Sequence, residues 1–194
     1  MTTRTFNTPV TTPIEPIGLV ADIIQTEMDL EAGRVAYAYQ NYQIPKDGLF
    51  VIVGYLGPST QIANQAYFDD TLNNEVQESV FQHTIQIEIM SLAPDNSARI
   101  RKEEIALALR SFYSQQQQDA NLMSIAWLQG DFIDGNYAEL SAMYQRYITT
   151  AIVTALHRKV KTSGYFDNFP IELTSEGARQ NESEINAGEN PFAQ

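Results

Sequence analysis

A strict alternation of side chains in FQHTIQIEIMS, residues 81–91, limits the fold of this chain more than any other feature. A period of two is typical of a half-buried β-strand, because successive side chains point to opposite faces. One face should therefore pack on a core, while the second meets water, a ligand or another subunit. We assign to the core face Phe81, His83, Ile85, Ile87 and Ile89, and to the second face Gln82, Thr84, Gln86, Glu88 and Met90.

A second long strand is predicted at residues 144–161, YQRYITTAIVTALHRKVK, which are rich in Ile, Val, Thr and Tyr. Both of its faces are semi-apolar, and a strand of this length is hard to cover within a small monomer. Its two faces hold Tyr147, Thr149, Ala151, Val153 and Ala155, and Ile148, Thr150, Ile152, Thr154 and Leu156.

The first half of the chain adds a helix and several shorter strands. The spacing of apolar residues predicts a helix over 14–31, with Gly33 at its C-terminal cap. We expect a strand at 35–42, a turn at 45–48, and a strand at 49–56 that is buried on both faces. The turn-rich residues 69–77 should join two antiparallel strands, the second of which runs through 80–91.

The second half should contain one long helix and further strands. Good capping residues precede a predicted helix over 97–115, whose buried face should include Ala98, Ile105, Ala108, Leu109 and Phe112. We interpret the glutamine run 115–118 as a frayed helix end. A strand follows at 123–133, and Asp-Gly-Asn at 134–136 predicts a hairpin turn. This order predicts an α+β fold, a mostly antiparallel sheet with helices packed on one face.

Composition divides the chain into a central domain and two polar ends. We expect a flexible arm at 1–13, a domain at 14–173, and an acidic, flexible tail at 174–194. No apolar run approaches the about 18 residues of a membrane span, and the N-terminus does not resemble a secretion signal. The chain has no cysteine, which is compatible with a reducing compartment.

The formal net charge is −12, and residues 1–98 alone hold twelve acidic and three basic residues. Nucleic-acid binding by phosphate neutralisation needs clustered Lys and Arg, so we do not expect this chain to grip DNA. The short basic cluster His157, Arg158, Lys159 and Lys161 fits the end of a strand that faces an acidic partner at least as well as it fits nucleic acid.

Few residues suggest chemistry. His83 and His157 lie within predicted strands, without a second ligand at metal-binding spacing. Asp131 and Asp134 could offer oxygens to a cation, but the pattern of a calcium loop is absent. We therefore predict no catalytic, cofactor or metal site. The alternatives are a small-ligand or carbohydrate-binding module using Trp127 and the tyrosines, and a metal-assisted hydrolase using Asp131 and Asp134.

Several segments resemble the tailed-bacteriophage neck and tail-terminator proteins. These are FQHTIQIEIMS, then PDNSARIRKEEIALALRSFY, and the later strand YQRYITTAIVTALHRKV with its Arg146-Tyr147 pair. YQIPKDGLFVIVGYL is similar to the family's turn and first buried strand, and YFDNFP at 165–170 to its short aromatic end. The resemblance covers residues 14–172.

The resemblance implies a structural virion protein without catalysis. Its subunits would form a closed ring, usually a homohexamer, that terminates the tail tube and joins it to the head connector. Genomic DNA would pass through the channel without specific binding, and the protein would be assembled in the host cytoplasm; another connector or tail tube component is an alternative. We expect the subunit interface to include Gln82, Gln86, Glu88, Arg146, Arg158, Lys159, Lys161 and Phe192.

Overall fold

The computed structural model describes residues 14–69, 74–127, 131–139 and 142–162. Within them, four short helices accompany one eight-stranded sheet, so the predicted α+β class is confirmed. The predicted arm at 1–13 and tail at 174–194, including Phe192, lie outside the described residues. The elements are α1 Pro16–Glu27, β1 Val35–Tyr37, β2 Phe50–Tyr55, β3 Thr60–Asp69, β4 Asn74–Leu92, α2 Ser97–Arg101, α3 Glu104–Ala108, α4 Phe112–Ala120, β5 Met123–Trp127, β6 Ile133–Asp134, β7 Tyr137–Glu139 and β8 Ala142–Thr162.

The two long strands, β4 and β8, form the centre of the sheet. They pair antiparallel along their whole length, from Asn74 opposite Thr162 to Leu92 opposite Tyr144. The main path of the sheet is β1-β2-β4-β8-β5, and among the described strands only β1 and β2 pair in parallel. β3 joins the free side of β4 beyond β2, while β6 and β7 pair with β8.

The helices cover one face of the sheet, which we call the helix face. Ile85, Ile87 and Ile89 of β4 are fully buried there, as the alternation predicted. They pack in one core with the apolar sides of α1 and of the segment 98–109. Val51 and Val53 of β2 extend this core, and both faces of β2 are buried, as predicted.

The opposite face of the sheet, which we call the outer face, has an apolar cover at one edge. Phe50, Ile52 and Met90 form a small second cluster there. The segment after β1 packs over it, with Ala38 directly against β2. A Cβ added at Gly54 would lie 2.5 Å from the Cβ of Ala38, so glycine is what permits this close approach.

Beyond the helices, the sheet continues as a three-stranded extension, which we call the arm. It consists of β3, residues 74–82 of β4 and residues 156–162 of β8. None of these residues belongs to either core cluster, although Val76 of β4 is buried. Residues 60–67 of β3 are all exposed, so neither face of the sheet is covered at this strand.

Two predictions in the first half require correction. The first helix ends at Glu27, with Met28 rather than Gly33 at its cap. The chain then turns through Asp29, which has a left-handed φ of 48°, before it reaches Gly33. The next strand covers only Val35–Tyr37 rather than 35–42, because the chain leaves the edge of the sheet to cover its outer face.

The predicted helix over 97–115 is three short helices. Ala98, Ile105, Ala108 and Leu109 are buried as expected, but Phe112 is 74% exposed. The second of the two breaks arises at Ser111, whose backbone is extended and whose side-chain oxygen caps a new helix by accepting from the backbone N–H of Ser114. The glutamine run is therefore inside α4 and is not a frayed end.

The region 123–139 also differs from the prediction. The strand predicted at 123–133 divides into β5 and β6. Asp-Gly-Asn does not form a hairpin, since β6 before it and β7 after it both pair with β8. The side chains of Asp134 and Asn136 instead bond the backbone N–H groups of Asn136 and Arg146, which holds an interruption in the strand.

Candidate functional site

A polar network on the outer face connects three of the residues that the sequence placed at an interface. The Arg146 guanidinium on β8 donates to Oε2 of Glu88 on β4, from Nε at 2.9 Å and from an NH2 nitrogen at 2.8 Å. Gln86 donates to the other carboxylate oxygen of Glu88 at 2.5 Å. The register of β4 and β8 brings these residues onto one face, because Met90 lies opposite Arg146 and Glu88 lies opposite Ile148.

The second face of residues 81–91 thus carries hydrogen bonds and an ion pair within the subunit, and is not simply a solvent-exposed polar surface. The Glu88 side chain is only 13% exposed and that of Arg146 31%. In such a half-buried place a charge-assisted pair is stronger than on an open surface. The network therefore fixes a planar, polar platform on the outer face, and its charges are already partly satisfied within the subunit.

A shallow groove borders this platform. It lies between the segment after β1 and the sheet, and its polar lining comes from Gln86 and Glu88. Tyr39, at one wall, is 86% exposed, and Leu56 is 50% exposed. The remaining lining residues are Ala38, Ile52, Gly54 and Tyr55. The groove and the platform together form the candidate site on the main body of the sheet.

The basic residues of 157–161 lie on the arm and are divided between its two faces. Arg158 faces Glu78, with 3.3 Å between Nε and Oε1, and its guanidinium donates to the Tyr67 hydroxyl at 3.4 Å. Lys161 lies 3.8 Å from Glu75. Lys159 has no ion pair among the described residues. The strand alternation thus separates what the sequence presented as one basic cluster.

The predicted interface residues consequently fall into two groups. Gln86, Glu88 and Arg146 are in contact with one another on the platform. Gln82 lies where the arm begins, opposite Thr60 and Thr154, six residues along β4 from Glu88 and therefore roughly 20 Å away. The three basic residues lie further along the arm, and Phe192 lies outside the described residues.

The two histidines lie on the helix face near the base of the arm. The His83 ring is 5.7 Å from that of Tyr55, and its Nε2 is buried without a hydrogen-bond partner. Burial, with the nearby His157, lowers the pKa of His83. His157 packs edge-on against Phe81 at 5.2 Å. This arrangement is aromatic packing, and it provides no convergent set of ligands.

The residues behind the two alternatives, Asp131, Asp134 and Trp127, do not line the groove. Asp134 bonds the backbone of Asn136, and Asp131 is exposed. Among the described residues, no group of three or more His, Asp or Glu side chains is arranged to hold a metal ion. Trp127 ends β5, at the opposite end of the strand order from β1 and the groove.

Two features of the site were not predicted from the sequence. Tyr39 was placed within a strand, whereas it leaves the sheet and forms a groove wall. β3 was expected only as an unnamed partner of β4, although its alternating Ile62, Asn64 and Ala66 precede a strong turn signal. Because a hairpin turn at 69–77 requires a strand on each side, the alternation in the residues before the turn would have located this strand.

Comparisons with protein-family models and with curated proteins give no match to this chain. In the part of the chain that the structure describes, the helices are all too short or too polar to cross a membrane.

Proposed function

We propose that this protein is a structural virion component of a tailed bacteriophage, whose subunits form a ring that terminates the tail tube and joins it to the head connector. One observation carries the proposal: the arm. The sheet is well packed at Ile87, but it continues into strands that belong to neither core cluster, where residues 60–67 are exposed and Val76 is buried. An assembly would bury more of this surface, and heterologous contacts around a ring supply that burial repeatedly.

Three further features support the proposal. The α+β fold with helices on one face of an antiparallel sheet is the class that the sequence resemblance implies. The net charge of −12 suits a channel through which DNA slides without specific binding. The internally bonded platform at Glu88 and Arg146 offers a rigid polar surface, which suits a contact that sets orientation more than affinity.

In this proposal the ring is a hexamer with the tail tube protein and the head–tail connector as its neighbours. It is assembled in the host cytoplasm and remains at the neck of the virion. The outer face and the arm meet the neighbouring subunit or the channel. Arg158 and Lys161, already paired weakly with Glu78 and Glu75, exchange partners at that contact.

Mass measurement and imaging test the proposal. Native mass spectrometry and negative-stain microscopy of the purified full chain should reveal a closed ring, alone or on tails assembled without the protein. Particles that lack the protein should show unterminated tails or unjoined heads. A protein that never associates with tails, in particles that assemble normally without it, would contradict the proposal. Its position within the particle separates a terminator from another connector or tube component.

Two matched surface variants locate the contact. Ile133 on the outer face is 66% exposed, and Leu107 on the helix side is 72% exposed. Ile133→Lys should reduce ring formation, whereas Leu107→Lys should not, since both leave the core intact. The reverse result would place the contact on the helix side.

The groove favours one second candidate, a small-ligand or carbohydrate-binding module. An exposed tyrosine wall beside amide and carboxylate groups is a common way to bind a sugar, because the ring stacks while the polar groups accept and donate. Titration calorimetry with a panel of oligosaccharides tests this candidate. Binding that is lost in Tyr39→Ala, by a protein that stays monomeric, would favour it over the ring.

A further inference from the structure

The edge of β3 is an open template for another strand. Among the described strands it pairs with β4 on one side, and residues 60–67 are exposed throughout. Natural proteins usually protect a long edge with lysine, proline or an inward charge, because unpaired N–H and C=O groups recruit other chains. β3 contains no lysine and no proline, and Asp69 is its only charged residue. Its one protective feature is an irregularity between Gln61 and Ala63.

Other edges among the described strands are short or blocked. β1 is three residues long, and β6 and β7 have two and three residues. On β5 the backbone N–H of Ile125 donates to the side-chain oxygen of Gln118 at 2.7 Å, so α4 closes that edge. Gln118 is itself held by a bond to Ser114. The fold thus guards one edge and leaves β3 open.

We infer that β3 is a self-association site, at which it pairs antiparallel with β3 of a second copy of this chain. This inference goes beyond the proposed ring and does not depend on it. A strand that meets its own copy must avoid opposing like charges. β3 meets this condition because residues 60–68 are uncharged in a chain of net charge −12.

Geometry sets the register. Residues directly opposite each other in an antiparallel pair share a face, so a two-fold axis must pass beside a residue rather than between two residues. Within the regular, exposed stretch 63–67, that residue is Gln65. Ala63 then lies opposite Tyr67 of the second copy, which places a small side chain against a large one, and Asn64 lies opposite Ala66.

The absence of native cysteine gives a direct test. In Gln65→Cys, the two copies of the new thiol oppose each other at a distance that a disulfide can bridge after a small adjustment. Mild oxidation of the full chain should give a disulfide-linked dimer within minutes. Ser124→Cys, which is exposed on the guarded β5, should remain mainly monomeric under the same conditions. Equal cross-linking of the two variants would overturn the inference.

Light scattering tests the contact without a cross-link. The wild-type chain should shift with concentration from its monomer mass of 21.8 kDa to twice that value. Ala66→Lys places on the edge strand a charge of the kind that natural proteins use against edge pairing, so it should abolish the shift in mass. Ala66→Thr introduces a good strand former and should retain the shift in mass. A dimer that persists in Ala66→Lys, or that disappears only when residues 163–194 are removed, refutes β3 pairing. A wild-type chain that is monomeric at every concentration refutes it as well.

The ring and the β3 contact fail separately. If rings form on tails but the Gln65→Cys variant does not cross-link selectively, only the β3 inference is lost. If the β3 dimer forms but the protein never joins tails, only the proposed function is lost.

Discussion

Removing the ion pair between Glu88 and Arg146 tests whether the platform is a rigid part of the subunit. Two guanidinium nitrogens converge on Oε2 of Glu88 at 2.8 and 2.9 Å. Exposed ion pairs contribute about 0.2–1 kcal/mol, and charged hydrogen bonds about 1.5–3 kcal/mol. Because Glu88 is 13% and Arg146 31% exposed, we expect a coupling free energy of about 1–2 kcal/mol, between these limits.

The two single variants should differ in cost. Arg146→Gln leaves a nearly buried carboxylate without its charge partner, whereas Glu88→Gln leaves a guanidinium that is more exposed to water. Arg146→Gln should therefore destabilise the fold more than Glu88→Gln. Glu88→Lys, which places two positive charges together, should lower stability as well as affect assembly.

A double-mutant cycle measured by urea unfolding checks this reasoning. The free energy of unfolding of the two single variants and the double variant gives the coupling directly, provided that the m-value is unchanged. The pair Lys161 and Glu75, at 3.8 Å and with side chains 38% and 41% exposed, serves as the control and should couple by less than about 0.5 kcal/mol. Additive effects at Glu88 and Arg146 would refute the platform, as would a larger loss in Glu88→Gln than in Arg146→Gln.

Three further predictions concern packing and pH. Gly54→Ala forces the new Cβ against Ala38, so it should lower the melting temperature and increase proteolysis of the segment after β1. Phe112→Ala should leave the melting temperature nearly unchanged, because the Phe112 ring is exposed. Hydrogen bonds, chiefly from the backbone N–H of Ser97, lower the pKa of Asp95. Its carboxylate therefore stabilises the fold above pH 3.8, and this stabilisation is lost as the pH falls through the lower folded-state pKa. Asp95→Asn should flatten the dependence of the free energy of unfolding on pH in that acid range. Burial lowers the pKa of His83, so the unfolded chain takes up a proton at higher pH than the folded chain, and stability falls below pH 6.5. His83→Phe should remove this loss of stability in thermal melts at pH 5–7. If the melting temperature depends on pH in the same way in the variant, His83 is not the cause of the loss.

The sequence predicted best those strands that bury one face and leave the other polar, because their side chains alternate clearly. Ile85, Ile87 and Ile89 alternate with polar residues because one side meets the helices, so both their strand and their face could be predicted. Residues 144–161 were likewise correct as a strand, although both faces are semi-apolar. Its even-numbered side is half-buried along 148–156, which explains the mixed pattern.

The helix predictions failed where local hydrogen bonds overrode periodicity. One continuous helix fits the buried residues Ala98, Ile105, Ala108 and Leu109 equally well. The spacing of buried residues does not show where a helix is interrupted. Ser111 carried a usable signal, since serine is a preferred N-cap. The contact of Arg101 with the carbonyl of Met28 at 2.7 Å is long-range, and no local pattern could predict it.

The candidate site shows the same division. The alternation placed Gln86 and Glu88 on one face, but their bonds to each other and to Arg146 depend on the register of β4 against β8. The basic residues 157–161 appeared contiguous in the sequence, whereas strand geometry sends Arg158 and Lys159 to opposite faces. The alternation therefore pointed to Gln86 and Glu88, and the family resemblance to Arg146, but neither predicted the bonds between them.

The position of a residue along β4 should matter more than its face. From Ile85 to Met90 the strand packs on the core of the helix face, and at Met90 also on the outer-face cluster, so substitutions there should reduce folding stability. From Asn74 to Gln82 the same strand lies in the arm, where Val76 is buried and the other residues are half-buried. Burying a side chain such as isoleucine stabilises by about 1.5–3 kcal/mol, and the exposed arm forgoes that gain in the monomer. An assembly can recover it, because association then buries what folding leaves exposed. Variants at the exposed arm residues 60–67 should thus alter association at nearly constant stability, whereas variants at Val76 or at 85–90 should alter stability first.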